Sequence, residues 1–188
     1  MTNTTIYLNA TVPFDFNNFE NHDFNLNEIV NSLSKQCRFN GHINKFYSVL
    51  QHCMFTYEIA CILYPDDKLV QQHALVHDFH EAYVSDIVTP LANYLCTDKI
   101  EKLKNDIDTK IFKSLNINEI NDHDKVMIKT CDKIAYELES TFLGNLASVK
   151  TDLKGKDHEI VQAFNKVECL NEHSSVFKFW WEYEMRLR

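Results

Sequence analysis

The sequence predicts an all-α fold: one domain over residues 1–188, a helical bundle of about six to eight helices if each has the usual length of about 11–12 residues. Three observations carry this. Only three glycines and three prolines occur in 188 residues, too few for the many tight turns of a sheet-rich fold. Apolar residues recur at helical spacing in several long stretches, and no segment sustains strand-like alternation. Two of those stretches open on a capping pattern.

In chain order, residues 1–24 are rich in Asn and Phe and read as an irregular lead-in. A first helix fits 25–37, with Asn25 as N-cap, Glu28 three residues on, and Ile29, Val30 and Leu33 on one face. "RFNGH" (38–42) contains one of the three glycines and reads as a turn. Ser48 and Gln51 form a capping box for a helix that Pro65 closes, which puts His52 in its first turns. Asp66 or Asp67 caps the next helix, which carries "ALVHDFHEA" (74–82) and runs until Pro90 breaks it, with Thr89 capping a new start. Ile100, Leu103, Ile107 and Ile111 mark a further helix. Residues 124–144 form another, ending near Gly144. Two helical stretches finish the chain, the last aromatic on one side and charged on the other; its aromatics suit core or a subunit interface.

Composition excludes several functions. There is no Gly-x-Gly-x-x-Gly and no Gly-x-x-x-x-Gly-Lys, so phosphate binding would need another device. The net charge of −8 argues against a nucleic-acid polymer as partner. The six cysteines contain no Cys-x-x-Cys pair, no signal peptide is visible and no apolar run reaches membrane-spanning length. A reducing cytoplasm, without membrane attachment, is the expected setting.

The chemistry concentrates in 74–82. On a helix, Asp78 lies about 100° and Glu81 about 40° from His77, so the three share one arc. Imidazole with carboxylates suits a divalent ion: Zn, Mn, Co, Fe, Ni or Mg. Two ligands from one helix do not make a site, and His52 and Asp132, each in a helix among apolar neighbours, are the candidates to complete it. A buried carboxylate such as Asp132 needs a partner. His73 and His80 are expected to face solvent or to be satisfied locally, with contact to the metal ligands from behind as the alternative. His22, His123, His158 and His173 read as surface residues, and "KIEKLKND" (99–106) as a solvated face.

The ordered set His52, His77-Asp78, Asp132, with separations of 25 and 54 residues, resembles the HD-domain phosphohydrolase superfamily. "RFNGH", "FYSVLQHC", "HDFHEAYVSDIVTPL" and "CDKIAYELE" are similar to the branch with bacterial 5'-deoxynucleotidases and phage-encoded dATP triphosphohydrolases. The resemblance implies one divalent metal on His52, His77, Asp78 and Asp132, with Glu81 and Asp86 as the acidic groups beside it. Glu81 would orient or deprotonate a water, and Asp86 would protonate the leaving oxygen or position a water. It implies Arg38 at the substrate phosphate, with Phe39, Gly41 and His42 shaping a nucleotide pocket. It further implies a nucleotide substrate and a homo-oligomer. dATP triphosphohydrolysis is the first expectation and 5'-deoxynucleotidase action on monophosphates the second. A non-catalytic nucleotide-binding module and a zinc hydrolase built on His73 and His77 are the readings from other classes.

Overall fold

The computed structural model describes residues 4–8, 12–95, 98–144 and 150–184. Helices dominate. Among the described residues, seven run eight residues or longer: α1 (Leu26–Leu33), α2 (Val49–Leu63), α3 (Lys68–Val76), α6 (Asp98–Ser114), α7 (Asp122–Gly144), α8 (Asp157–Glu168) and α9 (Glu172–Glu182). Two short ones, α4 (Glu81–Val84) and α5 (Thr89–Tyr94), lie between α3 and α6. No helix among the described residues is long and apolar enough to cross a membrane.

The caps fall where the side chains can reach orphan amides. Asn25 accepts from the amides of Asn27 and Glu28. Ser48 and Gln51 form the reciprocal capping box, and Asp67 accepts from the Val70 amide. "RFNGH" is a turn, with Phe39, Asn40 and Gly41 all at positive φ. At Gly41 (φ 76°) no neighbour crowds the position, so the backbone angle alone favours glycine.

Four expectations need correction. The lead-in is not wholly irregular: β1 (Thr5–Leu8) and β2 (Val12–Asp15) form an antiparallel hairpin in which Ile6 faces Phe14. Four-residue strands with Pro13 inside one of them are too short to display alternation. The helix through 74–82 is not continuous. It stops at Val76, and Phe79, Glu81, Ala82 and Tyr83 then bond three residues back, a tighter winding than α. Thr89 is the first helical residue, not the cap, and Val88 holds the cap position without a side-chain bond. His22 is not a plain surface residue: it packs edge-on against Phe14 and Phe24, each at 5.0 Å.

α2 is the axis. Every residue from Val49 to Tyr57 is buried, as befits a helix apolar on all sides. It packs most extensively against α3, α7 and α8. α3 and α7 also touch each other, so three helices meet around the buried His52. The cysteines described (37, 53, 61, 131 and 169) are all free, and Cys96 lies outside the described residues.

Candidate metal centre

The three helices that meet at His52 supply one side chain or more each. His52 comes from α2, His77 and Asp78 from the end of α3, and Asp132 from α7. His52 Nε2 lies 3.1 Å from Asp132 Oδ1 and 3.5 Å from Asp78 Oδ2. His77 Nε2 lies 3.2 Å from Asp78 Oδ2 and 3.8 Å from Asp132 Oδ1. The four predicted ligands therefore converge.

Each imidazole is oriented from behind. His77 occupies the C-cap position of α3, and its Nδ1–H donates to the Ala74 carbonyl at 2.9 Å. That carbonyl belongs to the last helical turn, where oxygens lack intrahelical partners. His52 Nδ1–H donates to Glu139 Oε1 at 2.9 Å. Acceptors at both Nδ1 atoms fix the tautomer, so both Nε2 lone pairs point into the cluster. Both Nε2 atoms are buried and neither makes a hydrogen bond. Two lone pairs facing two carboxylates are repulsive unless a proton or a metal cation lies between them. A divalent ion fits that donor set, with imidazole nitrogens and carboxylate oxygens as ligands.

The electrostatics agree. Burial and the Arg38 guanidinium oppose charge on His52, but Glu139 and Asp132 outweigh them and lift its pKa to about 9. Burial likewise opposes charge on His77, yet Asp78 and Asp132 raise it well above the usual imidazole value. Burial pushes Asp78 and Asp132 up, but the imidazoles win and hold both below the ordinary carboxylate range. Without an ion, protons on the histidines take the place of the missing charge.

Glu139 was not among the residues singled out in the sequence. It is fully buried, and it accepts from both His52 and Arg38 Nε, the latter at 3.2 Å. The available signal was its spacing from Asp132: seven residues on an α-helix return to within about 20° of the same face. Arg38 is buried too, and its Nη1 lies 3.8 Å from Asp86. Its guanidinium sits over the Phe39 ring at 5.4 Å, and Phe39 stacks on Tyr136 at 5.8 Å. Gly41 and His42 are exposed on the same turn.

Glu81 is 6% exposed, and its Oε2 is buried without a partner. Burial, with Asp78 and Asp86 nearby, raises its pKa well above the usual value. Gln36 and Ser32 of the α1 region bond the carbonyls of Glu81 and Ala82 and hold this segment in place.

His73 and His80 do not face solvent. His73 is buried with Nε2 on the Asn118 carbonyl at 2.8 Å, and it lines the same cavity as His77 and Asp78. His80 is buried with Nδ1 on Asp108 Oδ2 at 2.9 Å. Asp108, on α6, is a second residue that the sequence did not point to. A cavity of about 640 Å³ reaches His77, Asp78, His80 and Asp132 from the side of α6 and α7. Lys104, Lys125 and Lys129 stand in its wall. Lys104 is thus not a solvated-face residue: its side chain is 17% exposed.

No family model matches the chain. The chain is 38% identical over 82 residues to the uncharacterized protein YfdR of Escherichia coli (strain K12), a match that covers 44% of this chain and 43% of that protein.

Proposed function

We propose that the protein is a divalent-metal-dependent phosphohydrolase acting on deoxynucleoside triphosphates. The observation that carries the proposal is the convergence of His52, His77, Asp78 and Asp132, with two buried imidazole nitrogens aimed at two carboxylates, beside a cavity whose wall carries Lys104, Lys125 and Lys129 among the acids Glu101, Asp108 and Glu119. The order of these residues along the chain, similar to that of the HD phosphohydrolases, supports the same reading. A volume of about 640 Å³ falls in the range of small-molecule sites.

An ion on the four ligands would supply positive charge to a phosphoryl oxygen and make a nearby water more acidic. Glu81 accepts the proton of the attacking water, a task that suits a carboxylate whose surroundings favour the protonated form. The water oxygen bonds to the α-phosphorus, and the bond from phosphorus to the nucleoside 5'-oxygen breaks. The proton taken up by Glu81 passes to that oxygen, with Asp86 positioning a water beside it, so nucleoside and tripolyphosphate leave. Arg38 holds Asp86 and Glu139 and offers its remaining N–H groups to phosphate. Lys104, Lys125 and Lys129 receive the distal phosphates, which is the feature that favours a triphosphate over a monophosphate. Phe39 and Tyr136 provide the aromatic surface for the base.

Incubating the protein with each dNMP and dNTP, with Mn²⁺ or Co²⁺ and with chelator, tests this. Metal-dependent release of tripolyphosphate from a dNTP is expected. Phosphate released from monophosphates alone would replace the triphosphatase reading with a 5'-deoxynucleotidase. No turnover of any nucleotide despite tight metal binding would leave a nucleotide-binding module.

A further inference from the structure

We propose that the cavity between β1, α1 and α4 is a binding site for a small organic ammonium ion with an apolar body. The cavity encloses about 340 Å³, at the lower end of the range for small-molecule sites. Its wall contains none of the four predicted metal ligands. One side is the seam between α1 and α4. Glu28, Ser32 and Gln36 are spaced four apart and form one row along α1. Two rungs of the seam are closed. Ser32 Oγ donates to the Ala82 carbonyl at 3.3 Å, and Gln36 Nε2 donates to the Glu81 carbonyl at 3.0 Å. At the third rung Glu28 stands near enough to Tyr83 to act on its hydroxyl, but no hydrogen bond joins them. Ile6 and Leu8 of the hairpin and Ile29 of α1 supply the apolar walls.

The unmet groups on this seam are acceptors. Tyr83 is 5% exposed, and its Oη is buried with no hydrogen-bond partner. Its ring packs against Phe14 at 4.6 Å and Phe24 at 5.3 Å, so the hydroxyl cannot swing to find one. Burial and the nearby Glu28 both keep that hydroxyl protonated, and its lone pairs are left for a donor. Gln36 Oε1 is also buried and unpartnered, and the two bonds from Nε2 to Ser32 and Glu81 fix the amide in place. Glu28 lines the cavity half-buried, without an ion pair among the described residues. Lys35, the cation on the wall, is engaged elsewhere: its Nζ bonds Asn31 Oδ1 at 3.0 Å and lies 3.9 Å from Glu172. Buried acceptors without donors destabilise a fold, and a ligand that brings N–H groups relieves them. An ammonium head has three such donors and a charge opposite to that of Glu28. Its carbon chain lies against Ile6, Leu8 and Ile29, and a hydroxyl at the far end reaches Gln36 Oε1.

The site needs neither the metal nor a nucleotide, so it stands or falls apart from the proposed function. The test titrates the full chain, in chelator, with aminohexanol, which carries an amine and a hydroxyl at opposite ends. Calorimetry gives the affinity, and backbone amide resonances give the place. Saturable binding at one site, with shifts in α1, β1 and Ala82–Tyr83, is expected. Hexanediol lacks the charge and should bind about tenfold more weakly, and hydroxyhexanoate, with the charge reversed, should not bind. Glu28→Gln should bring aminohexanol down to the affinity of hexanediol. Tyr83→Phe keeps the ring and removes the unpartnered hydroxyl. It should melt no lower than wild type and bind aminohexanol about three- to tenfold more weakly. The proposal is overturned by a lack of saturable binding, by shifts confined to the surroundings of His77 and Asp132, or by equal affinity for amine and diol. An unchanged affinity in Glu28→Gln, or a Tyr83→Phe variant that melts lower than wild type, overturns it as well.

Discussion

Glu139→Gln isolates the group that organises the centre from behind. The carboxylate accepts from His52 Nδ1 at 2.9 Å and from Arg38 Nε at 3.2 Å, and its side chain is 0% exposed. Glutamine keeps the shape but has one acceptor oxygen for two donors, and its amide NH₂ would face the other N–H. One buried donor is left unsatisfied, which costs about 1–3 kcal/mol. The Arg38 guanidinium also loses its nearest counter-charge, and breaking a buried ion pair on one side costs about 3–5 kcal/mol. Asp86, 3.8 Å from Arg38 Nη1, offsets part of this, so a net loss of about 3 kcal/mol is expected. For a chain of this size that is a fall in melting temperature of about 6–12 °C. His52 also loses the partner that fixes its tautomer, so affinity for the metal ion should drop about ten- to a hundredfold. Thermal unfolding in chelator measures the first effect, and competition against a metallochromic indicator measures the second. A variant that melts within about 2 °C of wild type and binds metal equally well would refute the reasoning that Glu139 orders both His52 and Arg38.

Three other outcomes are expected. In chelator, stability should decline as pH rises from about 6.5 toward about 9. The reason is that His52 has a folded pKa near 9 against a usual 6.5, so its contribution is complete below the lower value and lost through the upper one. Asp78 and Asp132, depressed when folded, should lose their contribution below about pH 4. Saturating metal should flatten the alkaline decline by replacing those protons, and an unchanged pH–melting profile with and without metal would contradict this. Lys104→Glu and Lys129→Glu should each raise KM for a dNTP by about tenfold, roughly the loss of one charge-assisted contact. A dNMP should respond less, and equal effects on both would remove the lysines from the phosphate site. Ser48→Ala should cost about 1 kcal/mol by opening the capping box of α2, with a melting shift of about 2–4 °C and no loss of metal stoichiometry.

The long helices, the caps at Asn25, Ser48 and Asp67, and the four candidate ligands were legible in the sequence, the ligands as a set through their resemblance to a known ordered motif. Asn25, Ser48 and Asp67 cap whatever amides follow them. His52, His77-Asp78 and Asp132 are short motifs in helical stretches. Other features required the fold. The winding change after Val76 sets Asp78 against Glu81, and helical periodicity cannot see it. Glu139 and Asp108 are ordinary acids in the sequence. They matter because α7 packs against α2, and because α6 brings Asp108 to His80. The hairpin Thr5–Leu8 with Val12–Asp15 leaves no pattern in the sequence because its strands are too short. Local sequence determined which residues are candidates to bind a metal. Tertiary packing decided which acids are buried beside them, and burial turns an ordinary carboxylate into one that orients an imidazole or demands a cation.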